Sequence, residues 1–596
     1  MDKSRVGSLA TTVRRLDTES LLGWLVSACG LFGPSVMLTV NRADSVILSV
    51  LALIGIYAVV RHGFRNFALS TDERRLILVF AMWYAVILLA YFAGDQTDTG
   101  FKMIGRSLRI PLMIPAFIAC RRYFTHKMWL FAGLLFAAFA ALLMALIQSI
   151  HTSQLVRASG VAQAITFGDL SISIAFMAVS FWFVWRPKRK QLRYLLAGAA
   201  MSCGLIASIL SGTRGGWVAL PVFLIITALV FSRNSGRRGI KVFVMGSVFV
   251  IVALLLAPST IVLGRTMDAL NNLRSYSSYL HLISNGDLNR HGCLNDPLLL
   301  GMIRDSTNSV YNTRLTVSVI DDSTALKEAG FLRGCQSGQV IHVVNPSKTS
   351  TAALYLPRDT ITPSGDQIVE FIMRGQGAIS IEQSMDSYKM AFDYSDYKRV
   401  QYEQSVKRLA WPYFWLPPGD GVYFTSVQRG SGEYIFPFVT GSIGKRFEMW
   451  RAAWHIFKQH PFLGAGTGSF LKEVAELVKE RDISPSVVTF DHPHNDYLNA
   501  LSGQGLIGFA VYLLGLIYPL FLFGRALRAD DQYKKAAGFA GVILISGLLV
   551  FGFTETMFVH SIVMSTYGIY VAILASIILG KNNDTGHDAL LSDDPG

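Results

Sequence analysis

The sequence predicts an α-helical polytopic membrane protein of about twelve transmembrane helices, with a large β-rich insertion between the ninth and the tenth. Three observations predict it. Hydrophobic residues make up 52% of the chain and gather in long blocks; the loops between the blocks alternate in basic charge; and one stretch between blocks is far longer than any loop. A spanning helix needs roughly 17–25 mostly apolar residues. Twelve blocks approach that length: 21–40, 45–60, 76–93, 104–120, 128–150, 167–185, 194–210, 217–232, 242–264, 505–523, 537–553 and 561–579. The second, seventh, eighth and eleventh are short. No short apolar run with a small-residue cleavage site opens the chain, so the first block is expected to stay as an anchor.

The loops set the orientation. Even-numbered blocks are followed by RHGFRNFALSTDERR (61–75), RRYFTHK (121–127), RPKRKQLR (186–193), RNSGRRGIK (233–241) and GRALRADDQYKK (524–535). The alternate loops, such as NRAD (41–44) and GDQTDTG (94–100), are poor in Lys and Arg. Basic loops stay cytoplasmic, so both termini are expected inside. The formal net charge of +14 is thereby explained by orientation, without a nucleic-acid partner.

Between the ninth and tenth blocks lie about 240 residues, too many for an ordinary loop. Residues 265–440 are expected to form an inserted β-rich domain. Runs such as QVIHVVNPS, AALYLP and GVYFTSVQRGSGEYIFPFV alternate between apolar and polar residues and are bounded by turn residues. Residues 441–504 differ. IGKRFEMWRAAWHIFKQHP has helical spacing, with Phe447, Trp450, Trp454 and Phe457 on one stripe and Pro461 as its stop. The expected organisation is a nine-helix membrane domain (1–264), the insertion (265–440), an amphipathic-helix and catalytic-loop region (441–504), helices ten to twelve (505–580) and an acidic tail (581–596). Cys293 and Cys335 fall in the insertion, where an oxidising compartment would permit pairing; no cysteine spacing suggests zinc.

Chemistry concentrates where the chain re-enters the membrane. His492, Pro493, His494, Asn495 and Asp496 stand together ahead of an apolar run. Imidazole transfers protons near neutral pH, so His494 is a candidate acid–base group. A metal site from the same cluster is the competing reading, though adjacent residues rarely converge on one ion. SGTRGGW (211–217) carries Arg214 among small residues; a guanidinium there either snorkels to water or pairs with phosphate oxygens. Arg446 and Arg451 lie on the amphipathic helix, Arg157 follows the fifth block, and Arg106 and Arg109 sit three apart at the fourth. Gly464, Gly466 and Gly468 form a glycine-spaced loop that either presents amides to phosphate or is an ordinary turn. Together these cations gather on the membrane side where the orientation rule expects few, and an anionic lipid headgroup is a sufficient reason.

SGTRGGW (211–217), GKRFEMWRAAWHIFKQHPFLGAGTGSF (444–470) and HNDYLNALSGQGLIG (494–508), in that order, resemble the O-antigen ligase and O-antigen polymerase superfamily of bacterial envelope glycosyltransferases, whose relatives include protein O-oligosaccharyltransferases. The resemblance implies a GT-C-like membrane enzyme of the bacterial inner membrane. Such an enzyme moves a glycan from undecaprenyl pyrophosphate to lipid A–core, or to another glycan acceptor, at the periplasmic face, with no metal and no cofactor. It implies His494 as the catalytic residue and Arg214 and Arg446 as donor pyrophosphate ligands. His492, Arg157, Arg106, Arg109 and Arg451 are secondary candidates. Polymerase and protein glycosylase share these motifs. The long insertion departs from the family pattern. A polysaccharide or lipid transporter is the reading from another class, but transporters place ionisable groups near the bilayer midplane, whereas these cations sit at span edges.

Overall fold

The computed structural model describes residues 18–63, 67–151, 157–187, 189, 191–213, 215–232, 442–479, 483, 487 and 490–580, together with six strands between 316 and 439. The chain divides into two compact units: Met1–Val252, Pro461–Thr467 and Asn495–Gly596 form one, and Ala253–His460 and Gly468–His494 the other.

The first unit is helical. Its elements are α1 (Thr18–Thr39), α2 (Ala43–His62), α3 (Thr71–Ala93), α4 (Asp98–Ser107), α5 (Arg109–Tyr123), α6 (Lys127–His151), α7 (Ala164–Ala178), α8 (Phe181–Val184), α9 (Gln191–Ser211), α10 (Gly215–Ser232), α13 (Asp496–Ala526), α14 (Gln532–Phe551) and α15 (Ser561–Leu579). Among the described residues, eleven stretches are long and apolar enough to cross a membrane, with α4–α5 and α7–α8 each counting as one. The ninth expected block, 242–264, lies outside the described residues. Leu53, Val60, Phe136, Leu143 and Phe521 stand more than half exposed on these helices. Apolar side chains in that number facing outward fit a lipid surround, because water would penalise them.

Local sequence sets the helix starts. Ser70 and Glu73 form a reciprocal capping box at α3, with the Ser70 amide donating to Glu73 at 2.6 Å. Thr97 caps α4 and Asp531 caps α14. Ion pairs gather where the basic loops are: Arg121 binds Glu73, Arg525 binds Asp72, and His62 and Arg122 bind Glu19. Helices α2 and α15 both pack against α5, α7 against α9, and α13 against α3 and α14.

Within the fourth span, α4 and α5 are separated by Leu108 alone, whose backbone stays right-handed helical. Helix α13 starts at Asp496 and is interrupted at Gly505, so the HNDYL segment opens its first half.

In the second unit, four strands form an antiparallel sheet in the order β1 (Thr316–Asp321), β2 (Gln339–Val344), β3 (Thr351–Tyr355) and β4 (Phe371–Arg374); β5 (Val422–Arg429) and β6 (Gly432–Val439) form a hairpin. The remainder of 265–440, with Cys293 and Cys335, lies outside the described residues. Helices α11 (Ser442–Gln459) and α12 (Phe470–Lys479) follow. The buried face of α11 is Met449, Ala452, Ala453 and Ile456. The aromatic stripe expected to be its apolar face lies toward the more accessible side, with Trp454 47% exposed. Small residues bury more completely there because they allow close approach.

Candidate functional site

Helix α13 is broken at Gly505, whose φ of 66° and ψ of −164° interrupt the helical ladder. A break in a membrane helix exposes carbonyls on one side and amides on the other, each costing several kcal/mol if left unpaired in hydrocarbon. The loop Pro461–Thr467 supplies all four partners. Ala465 and Gly466 donate their amides to the carbonyls of Ser502 and Gly503 at 2.9 and 3.2 Å. The carbonyls of Pro461 and Phe462 accept from Leu506 and Ile507 at 2.8 and 3.2 Å. The fit demands glycine on both sides. Gly464 has φ 71°, and a Cβ there would stand 2.3 Å from the Gln504 nitrogen; a Cβ on Gly505 would stand 2.3 Å from the Phe462 carbonyl carbon. The same loop reaches α3, where Thr467 Oγ1 donates to the Ile87 carbonyl at 3.0 Å and the Asp95 amide donates to Ala465 at 3.1 Å. The phosphate-cradle reading of this loop is therefore corrected for Ala465 and Gly466, since their amides are spent on α13.

The start of α13 is held as firmly. Asn495 is the N-cap, accepting the Leu498 amide at 3.0 Å. Its own amide donates to Thr556 Oγ1 at 2.9 Å and its Nδ2 to the Phe553 carbonyl at 3.2 Å. Asp496, 3% exposed, accepts the amides of Met557 and Phe558, both at 3.1 Å, and donates its own amide to the Gly552 carbonyl at 2.8 Å. Tyr497 donates its hydroxyl to the Leu549 carbonyl. The end of α14 and the segment 552–558 that joins it to α15 thus wrap the helix start.

Immediately upstream, His494 has φ 49°. Among the described residues, only Arg42 shares a positive φ without being glycine. Left-handed backbone at a histidine is strained by roughly 1–3 kcal/mol and persists where surroundings impose it. The His494 amide donates to His492 Nδ1 at 3.4 Å, and the two rings lie 4.5 Å apart, edge to face. His492 Nε2 stands 3.6 Å from Asp491, and Phe490 flanks His494 at 5.4 Å. The geometry gives His492 a hold on the His494 backbone.

The expected cations divide. Arg451 is bound to the buried Glu448 through two bonds, 2.6 and 3.1 Å, a structural use of its charge. Arg446 is partly exposed on the same helix, and desolvation pushes the neighbouring Lys445 ammonium below its ordinary range. Arg109 joins three helices, donating to Ser565 at 3.0 Å, Ser45 at 2.8 Å and the Arg106 carbonyl at 3.2 Å. Arg106 is exposed and reaches the Val559 carbonyl at 3.4 Å. Arg214 lies outside the described residues. Its flanks are anchored: Arg157 donates to the carbonyls of Ser211 and Gly212 at 2.8 and 3.2 Å, and Thr213 donates to Asp169 at 2.8 Å.

Sequence reasoning passed over Asp169, fully buried on α7, and weighed Asp496 only as a metal ligand beside His492 and His494. Asp169 had a signal, being the one acidic residue in the block 167–185. The role of Asp496 had none, because its partners come sixty residues later, at Met557 and Phe558.

Comparison with known proteins falls on this region. Residues 423–513 match the O-antigen ligase (Wzy_C) family. An uncharacterised protein of Haemophilus influenzae is 27% identical over 120 residues, a stretch that takes in 20% of this chain and 30% of the relative. The match runs from the β5–β6 hairpin through α11, the 461–467 loop, His492 and His494 to the Gly505 break, the elements that carry the geometry above. Residues 423–513 are therefore similar to the O-antigen ligase family, and that match supports a place for this segment in the O-antigen ligase superfamily.

Proposed function

We propose that the chain transfers a glycan from undecaprenyl pyrophosphate to lipid A–core at the periplasmic face of the bacterial inner membrane. His494 acts as general base. It takes the proton of the acceptor hydroxyl as that oxygen attacks the anomeric carbon; the bond to the pyrophosphate oxygen breaks, and undecaprenyl pyrophosphate departs with the electron pair. Arg214 and Arg446 hold the pyrophosphate and stabilise the charge that grows on it, a role guanidinium performs by paired hydrogen bonds without a metal. The basic loops are cytoplasmic, both termini lie inside, and 265–440 is a periplasmic insertion. The observation that carries the reading is a strained, ring-flanked histidine at the head of a pinned membrane helix, inside the segment that matches the O-antigen ligase family.

The test uses the purified full chain, undecaprenyl-pyrophosphate-linked glycan, and either lipid A–core or no second acceptor, with His494→Ala in parallel. A single lipid A–core product, absent with the variant, is expected. A ladder from donor alone would make the chain a polymerase instead. Full turnover by His494→Ala would remove that residue from the chemistry.

A further inference from the structure

We infer that Asp496 is the positioning residue for His494, acting through the turn 552–558 that lies outside the segment shared with the family. The inference rests on the proposed role of His494 as base. A base must meet the acceptor proton within hydrogen-bond reach, and a displacement of about 1 Å can cost on the order of 100-fold in rate. His494 sits on backbone that a histidine does not adopt unaided. Whatever imposes that backbone must grip the residues beside it. Asp496, two residues on, is held by three hydrogen bonds. Both of its carboxylate oxygens accept amides, from Met557 and Phe558, and its own amide is bound by Gly552. The two accepted amides open a short 3-10 turn, Met557–Val559, that feeds α15. A carboxylate at that position satisfies amides the turn leaves unpaired and is favoured by their aligned dipoles. Asn495 repeats the grip on Thr556 and Phe553. The far side of the turn is held by Arg106, through the Val559 carbonyl. The start of α13, one residue after His494, is thus docked to α14 and α15.

Asparagine is the informative replacement. It keeps the shape, but its NH2 group would face one of the two amides, donor against donor. The full chain is assayed with undecaprenyl-pyrophosphate-linked glycan and lipid A–core, donor concentration being varied, and melting temperature is recorded for each variant. For Asp496→Asn we expect kcat to fall roughly 10- to 100-fold with donor KM within about twofold of the parent. Thr556→Val, which removes the acceptor for the Asn495 amide, should fall in the same direction. Asp531→Ala removes a helix cap at the opposite end of α14, and so serves as the control for lost stability alone; its kcat should match the parent. Unchanged kcat for Asp496→Asn, or a fall equalled by Asp531→Ala at the same loss of melting temperature, would overturn the inference while leaving His494 as base. Turnover retained by His494→Ala would overturn both.

Discussion

The amide of Ala465 donates to the carbonyl of Ser502 at 2.9 Å, joining a loop that follows α11 to the first half of a broken membrane helix. With its three companions this bond repairs the break at Gly505, so the two motifs HPFLGAG and SGQGLIG form one joint. Neither motif alone accounts for its own backbone hydrogen bonds.

Gly464→Ala and Gly505→Ala should both damage this joint. Each places a methyl group 2.3 Å from backbone and forces a left-handed residue. We expect a loss of about 2–4 kcal/mol, read as a clear drop in melting temperature of the detergent-solubilised chain. Gly524→Ala, where a Cβ meets nothing within 4 Å, should be nearly silent. Equal behaviour of all three would refute the account of the joint.

Arg109 is expected to be structural. Its guanidinium is engaged by Ser565, Ser45 and the Arg106 carbonyl. Arg109→Leu should lower thermal stability by about 1–3 kcal/mol, since it strands polar partners inside the bundle, while donor KM stays within about twofold. A selective rise in donor KM at unchanged melting temperature would return Arg109 to the donor site.

Arg157 should act on the donor indirectly. It holds the Ser211 and Gly212 carbonyls beside position 214. Arg157→Ala should raise donor KM several-fold, whereas Arg214→Ala should raise it more and Arg214→Lys should recover part of the loss, because an ammonium keeps charge but not the paired bonds. Parent-like donor use by both Arg214 variants would exclude a pyrophosphate role.

Turnover should be indifferent to a strong chelator, because arginines supply the positive charge in the proposed reaction. Initial rates before and after exhaustive chelation decide it. Loss of activity restored by one divalent cation would replace the arginine account with a metal-assisted one.

Much of the site was readable along the chain. Gly464 and Gly466 stood out as glycines, His494 as a histidine at a membrane boundary, and the Arg451 helix by its period. What each was for was not readable. The glycines suggested phosphate, and Arg451 suggested a ligand, until Gly503 and Glu448 appeared as their partners. Asp496 was legible only as a candidate ligand in a metal site, and its bonds to the Met557 and Phe558 amides were not.

The sequence by itself determined the spans and the chemistry at their ends. Hydropathy over a helix length and caps such as Ser70 and Asp531 are local properties, settled by the bilayer's thickness and by the backbone's own unpaired amides. The tertiary structure alone decided where α13 begins, how it survives the break at Gly505, and which cations are already committed. Those outcomes depend on hydrogen-bond partners brought from other helices. In a membrane interior an unpaired backbone group is too costly to leave, so distant segments must close around it.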